Sequence, residues 1–278
     1  MTVDLNNIYP PQVGVRLSSS IFPRERIAEL KKLLTTKVVI SLDGLAGVGK
    51  GTVGKALSQL LGLPHLHSGL IYRALTYIYQ DLLLPLSDEN TNTVISKIQA
   101  GVEDGKIRIH YKGRFLEDHE LRNEFIDQHL NEYNNNLYVR SKIDEALTNV
   151  VLSLHSSPFI IDLRGTNPPY IAAAEESGFH IIRILLTAKL EEKVSRRFKE
   201  YMETAHKTNP GFQLSEDQSQ KVYEECFEAI VRRDTQDIES IIQTRIGLIH
   251  EKTGLIDTTD MSIDEVIGTS LQFIYSSL

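Results

Sequence analysis

Four short, unbroken apolar runs punctuate the chain: "KVVISLDG" from Lys37, "PFIIDLRG" from Pro158, "HIIRILLTA" from His180 and "GLIDTT" from Gly254. Runs of this length and composition, with no polar face, predict strands of a parallel sheet covered on both sides. Between them apolar residues recur every third or fourth position, which predicts helices. "PRERIAELKKLL" reads as a short helix with Pro23 in its first turn and Ile27, Leu30, Leu33 and Leu34 on the side that docks. "GTVGKALSQLLG" is a helix with a glycine stop, and "SIDE" opens the last helix as a capping box from Ser262 to Glu265.

The middle of the chain reads differently. "KIRIHYKGRFL" alternates Ile107, Ile109 and Tyr111 around a "KG" turn, the signature of a half-buried hairpin. Two helical stretches follow, "ELRNEFIDQHLNEY" and "VRSKIDEALTNVVLSL", separated by the polar run Asn134–Asn136. A charged helix, "KLEEKVSRRFKEYMETA", and a polar loop lead into a further helix through Arg233. Strands alternating with helices give an α/β fold with a parallel sheet. The expected division is an N-terminal extension at 1–35, a core at 36–79 and 156–278, and a small mixed insertion at 80–155.

Composition narrows the class. The formal net charge is -7 over 278 residues, against a duplex nucleic-acid partner but not against a small anionic substrate held by converging arginines. The single cysteine, Cys226, excludes an internal disulfide and a thiolate-rich zinc site; it lies on a helix and is expected to pack. No apolar run suffices to span a bilayer, and the start, "MTVDLNNIYPPQVG", has no apolar signal region. A cytoplasmic monomer with neither membrane nor nucleic-acid partners is expected.

The chemistry gathers at "SLDGLAGVGKGT", Ser41–Thr52. A strand, a glycine loop and a helix in this order are the context of a phosphate-binding loop. Gly44, Gly47 and Gly49 let the backbone of Gly44, Ala46, Gly47, Val48, Gly49, Lys50, Gly51 and Thr52 approach a phosphate, with the helix dipole behind it. Lys50 is placed to reach the β- and γ-phosphates of ATP. The usual hydroxyl after the lysine is missing, because Gly51 stands there, and Thr52 brings it one residue late. Asp162, ending an apolar strand, is where such proteins hold the water on a magnesium ion, so Thr52 and Asp162 are the expected Mg²⁺ contacts. Asp43 has an equally good structural reading. His65 and His67 alternate in "HLHS", but with no third or fourth ligand nearby in sequence, roles other than metal binding are favoured.

"GxGKGT" followed by "HSGLIYRALTYI" from His67 resembles the loop and "DSGxxYRALT" signature of bacterial cytidylate kinases. Ordered matches continue through "NNNLYVRSKIDEAL", "IIDLRGT", "EEKVSRRFKE", "VRRDTQDIES" and "LIDTTDMSIDEVI", so the resemblance covers about residues 37–275. It makes Gly51 a habit of the family. It implies a phosphate-loop core, an inserted acceptor-binding subdomain, a helical lid at about 189–218, and phosphoryl transfer from ATP to a nucleoside monophosphate with Mg²⁺. By resemblance, Arg73 and Arg140 hold the acceptor phosphate and Arg196 and Arg197 close from the lid. Arg233 and Asp237 complete the site, Asp237 on ribose hydroxyls, with Ser68 and Arg164 lining the acceptor side.

The match breaks where the family reads the cytosine ring. Gly165 replaces an aspartate, Ser240 replaces an arginine, and His67 replaces the aspartate of "DSG". Phosphate-handling positions persist while base-reading ones are lost. This leaves open a kinase whose acceptor is CMP, dCMP or a related nucleotide, held by contacts from Asn134–Asn136 or His67. It also leaves open a non-catalytic nucleotide binder and a small phosphate-loop kinase with another acceptor.

Overall fold

The computed structural model describes residues 14–35, 37–103, 106–154, 157–163, 168–244 and 252–278. Six strands form one parallel sheet: β1 (Val15–Arg16), β2 (Val38–Asp43), β3 (His65–His67), β7 (Phe159–Asp162), β8 (His180–Thr187) and β9 (Gly254–Asp257). Their order is β1-β9-β8-β2-β7-β3. A second, antiparallel sheet joins β4 (Gln99–Glu103), β5 (Lys106–Tyr111) and β6 (Arg114–Phe115).

Alternation along the central strands sorts their side chains between two cores. Val38, Ile40 and Leu42 of β2 face α1 (Ile27–Leu33), α2 (Lys50–Leu61) and α11 (Ile263–Ser277), while Val39 faces the other way. That second core is closed by α3 (Ser68–Asp81), α7 (Leu137–Ser153) and α8 (Pro169–Glu176). A fully buried isoleucine or leucine stabilises by about 1.5–3 kcal/mol, so strands buried on both faces hold the sheet's centre. The strand ends that carry the loop and Asp162 rest on this rigid middle.

Several local expectations agree with the structure. The Ser262–Glu265 capping box forms, with each side chain bonded to the other's backbone N–H. Leu30 and Leu34 dock into the core beside Phe22. Leu33, expected on the same side, is 42% exposed. It lies about 60° round the helix from Leu30, whereas Leu34 lies only about 40° away. The hairpin turns at Lys112–Gly113, with Ile109 and Tyr111 buried; the Ile107 side chain lies outside the described residues.

Other features differ. Strand β4 was not expected, because "QAGVE" offers only two small apolar residues, Ala100 and Val102, around a glycine. The asparagine run separates two helices at its last residue alone: α6 (Glu124–Asn135) runs to its second residue, and Asn136 breaks before α7, its Oδ1 accepting from Val139 N at 3.1 Å. Two further helices, α4 (Asp88–Ile95) and the short α5 (Asp118–Leu121), flank the hairpin. Helices α9 (Leu190–Thr208) and α10 (Glu216–Thr244) pack on each other, and α10 runs well past Arg233. Cys226 packs between them with Val194 and Ile230, and burial pushes its thiol up from its ordinary value. Among the described residues no helix is long and apolar enough to cross a membrane.

Candidate active site

The loop between β2 and α2 is fixed first by backbone. Asp43 Oδ1 accepts from the Gly44 N–H at 2.7 Å, turning the chain out of the strand. Gly44 has φ +140°, and a Cβ there would meet the Leu186 carbonyl oxygen at 2.3 Å, so only glycine fits against β8. Lys50, at the first turn of α2, donates from Nζ to the carbonyl oxygens of Gly44 and Leu45, the latter at 2.9 Å. Burial pushes its ammonium below the ordinary lysine value; Asp43, Asp162 and Asp237 oppose that shift and Arg233 adds to it.

Two clefts meet at this loop. The smaller, about 180 Å³, is lined by Ala46, Lys50, His67, Ser68, Arg73, Arg122, Asp162, Arg233 and Asp237, among others. Four cations therefore face two carboxylates in a space suited to an anionic group. The larger, about 830 Å³, runs from Ala46–Gly49 and Thr52 along α9 and α10 to Thr258 and Ser262. It lies within the usual range for small-molecule sites, roughly 300–1,000 Å³. Ala46 and Arg233 line both clefts.

Of the expected residues, the smaller cleft brings together Lys50, Ser68, Arg73, Asp162, Arg233 and Asp237. Arg73 donates from Nη1 to the Leu121 carbonyl at 3.0 Å, which aims it across from α3. Arg233 and Asp237 stand one turn apart on α10 and so share a face. Arg196 and Arg197 line the larger cleft, differently held. Arg196 bonds Glu192 Oε1 at 2.7 Å and reaches Thr258 Oγ1 and O at 3.0 and 2.6 Å. Arg197 is more exposed and pairs only locally, with Glu200 at 2.7 Å. Arg140, on α7, is not among the residues lining either cleft. Arg164 and Gly165 lie outside the described residues, as do the side chains of Ser240, Asn134 and Asn135.

Three contributors escaped the sequence. Arg122 lines the smaller cleft from the junction of α5 and α6; its one signal is an arginine next to Asn123, the N-cap of α6. Lys193 and Asp234 form a buried ion pair between α9 and α10, and Asp234 Oδ1 accepts from the Ala46 N–H at 3.1 Å. The loop is thereby tied to both helices. Thr258 also accepts Arg196 and donates to the Thr187 carbonyl at 3.0 Å.

The histidines call for a correction. They were read as lacking a third ligand, but β3 pairs in parallel with β7, His67 opposite Asp162. His65 Nε2 donates to Asp162 Oδ1 at 2.8 Å and His67 Nδ1 to Asp162 Oδ2 at 2.7 Å. The third group is nearly a hundred residues away in sequence and on the adjacent strand in space. Burial works to raise the Asp162 carboxyl, but the two imidazole hydrogen bonds outweigh it and hold the group well below the ordinary carboxylate range.

A family model described as cytidylate kinase matches residues 40–276. The chain belongs to the cytidylate kinase family. The cytidylate kinase of Aquifex aeolicus (strain VF5) is 25% identical over 242 residues, covering 85% of this chain and 95% of that one. The cytidylate kinase of Thermosipho melanesiensis (strain DSM 12029 / CIP 104789 / BI429) is 29% identical over 237 residues, covering 84% and 95%. Among solved structures, a shikimate kinase from Acinetobacter baumannii in complex with shikimate aligns over 88% of this chain and 97% of its own, with a TM-score of 0.40 and 15% identity. Membership of a nucleotide-kinase family accounts for the glycine loop with its displaced hydroxyl.

Proposed function

We propose that the protein is an ATP:nucleoside monophosphate phosphotransferase whose acceptor is CMP, dCMP or a related nucleotide. The observation that carries this reading is the meeting of a large cleft and a small cationic one, which holds Lys50, at Ala46 and Arg233. Phosphoryl transfer between nucleotides is mainly a matter of positioning and charge neutralisation, so it needs this convergence and no protein nucleophile. In this reading ATP lies along the larger cleft, with its phosphates on the loop amides of Gly44–Thr52. Lys50 neutralises the β- and γ-phosphates, and Arg196 and Arg197 close from the lid at about 189–218. The acceptor phosphate lies among Arg73, Arg122 and Arg233, with Ser68 beside it and Asp237 on the ribose hydroxyls. Arg140 and Arg164 are retained as acceptor contacts on the family resemblance alone. Residues 36–79 and 156–278 form the core and 80–155 the acceptor-binding insertion, with 1–35 as an extension.

Each cleft offers an oxygen donor for a magnesium ion, Asp162 in the smaller and Thr52 in the larger. Asp162 uses one lone pair of each oxygen on a histidine, and a carboxylate offers about four, so oxygen ligation remains open. Thr52 lines the larger cleft at the helix start. These two residues would hold Mg²⁺, which supplies neutralisation of the donor phosphates.

One observation favours a second reading. Gly165 and Ser240 stand where the family reads the base, which suits a nucleotide binder that no longer catalyses. A coupled ADP-release assay across CMP, dCMP, UMP, AMP and shikimate separates the readings. ADP release with one or more of the nucleotides, and none with shikimate, is the expected outcome. Release with shikimate alone moves the acceptor outside the nucleotides. No release with any acceptor, alongside ATP binding by calorimetry, makes the protein a binder.

A further inference from the structure

At the edge of the parallel sheet, three side chains converge that linear spacing keeps apart. His65 and His67 lie two residues apart on β3 and so point to one face, the face on which the paired strand presents Asp162. Their ligand atoms all lie within 4.8 Å of one another. The rings of the two histidines sit 4.0 Å apart, so both nitrogens meet the carboxylate from one side. The sequence makes room for this. A Cβ on Gly54, in α2, would meet the His65 ring at 2.4 Å and Asp162 Oδ1 at 3.1 Å. A glycine on that helix face lets the buried imidazole and carboxylate close against it.

The geometry points to a binding site for a borderline divalent transition ion, of the Zn²⁺ or Co²⁺ class, held by His65 Nε2, His67 Nδ1 and Asp162. Imidazole nitrogen with carboxylate is the donor set such ions prefer, whereas Mg²⁺ is served by oxygen alone. Two ligands of one such ion, at bond lengths of about 2.0–2.2 Å and a tetrahedral angle, stand roughly 3.4 Å apart. The observed 2.7 and 2.8 Å separations need to open by about 0.6 Å when the ion replaces the shared protons. The side chains of His65 and Asp162 are only 8% and 13% exposed, but that of His67 is 41% exposed and faces the smaller cleft. Three protein ligands with one open side form a site that keeps a position for water or a phosphate oxygen.

This inference shares Asp162 with the proposed kinase site but is tested without turnover. The full-length protein is stripped with a chelator and titrated with Co²⁺ while visible absorption is followed. One Co²⁺ per chain is expected, displaced by Zn²⁺ and not by a large excess of Mg²⁺. His67→Asp alters a partly exposed position and is expected to weaken Co²⁺ binding by more than the roughly 10–100-fold that loss of an outer-shell partner costs. His65→Gln, checked for fold by circular dichroism, is expected to do the same. No cobalt band in the unaltered protein, or a band unchanged in both variants, overturns the site. The protein has nine histidines, so an unchanged band places the cobalt elsewhere. Cobalt results of either kind leave the ADP-release assay to decide the kinase reading separately.

Discussion

Asp144 stands on α7 one turn after Arg140, half-buried. Burial raises its carboxyl from the ordinary 3.8 to about 6, against the pull of Arg140. The folded protein therefore binds this proton more tightly than the unfolded chain does. Stability falls as pH rises from about 4 to about 6, and below that window the group is neutral in both states and costs nothing. Asp144→Asn is expected to be more stable than the unaltered protein at pH 7.5 by about 1–2 kcal/mol, discounting a shift of some two units for solvent screening. The two melting temperatures should coincide near pH 4, and a constant difference across pH would contradict the assignment. At this scale the phosphate loop was legible because its determinants are contiguous: Gly44, Gly49 and Lys50 act within one turn of chain. The partners of Asp162 were not legible. His65 and His67 were visible as a pair, but their purpose depends on which strand lies beside β3.

Helices α9 and α10 show what periodicity reveals and what it hides. Adjacent arginines on a helix diverge by about 100°, so Arg196 and Arg197 cannot both face one phosphate equally. Which one is anchored depends on Thr258, sixty-two residues further on, and could not be read from the helix. Arg196 bridges α9 to the loop's own support, since Thr258 also bonds β8. Arg196→Ala is expected to lower kcat by about tenfold or more, and Arg197→Ala to stay within about threefold. Steady-state kinetics at saturating ATP distinguish them; equal and small effects would return α9 to a solvated surface helix. The buried Lys193–Asp234 pair was hidden for the same reason: each residue looks like an ordinary member of a charged helix until the two helices pack. Strand β4 stayed unread because two small apolar residues, Ala100 and Val102, around a glycine are a weak alternating signal, and it exists through pairing with β5.

Across the whole molecule, strongly buried strands were the most legible part, because a strand covered on both faces must be apolar at nearly every position. β2, β7, β8 and β9 all appear where unbroken apolar runs predicted them. The clefts were less so, since they form where α3, α5–α6 and α10 converge on the loop, and Arg122 enters only through that convergence. In the proposed function the two clefts serve one transfer. Incubating the protein with γ-³²P-labelled ATP and each of CMP, UMP and AMP, then separating the products by chromatography, tests it most directly. Label is expected to appear in a nucleoside diphosphate with the unaltered protein, and to fall by a factor on the order of 10² or more in Lys50→Ala of unchanged circular dichroism. Label that stays in ATP with every acceptor, or transfer undiminished in Lys50→Ala, would contradict it.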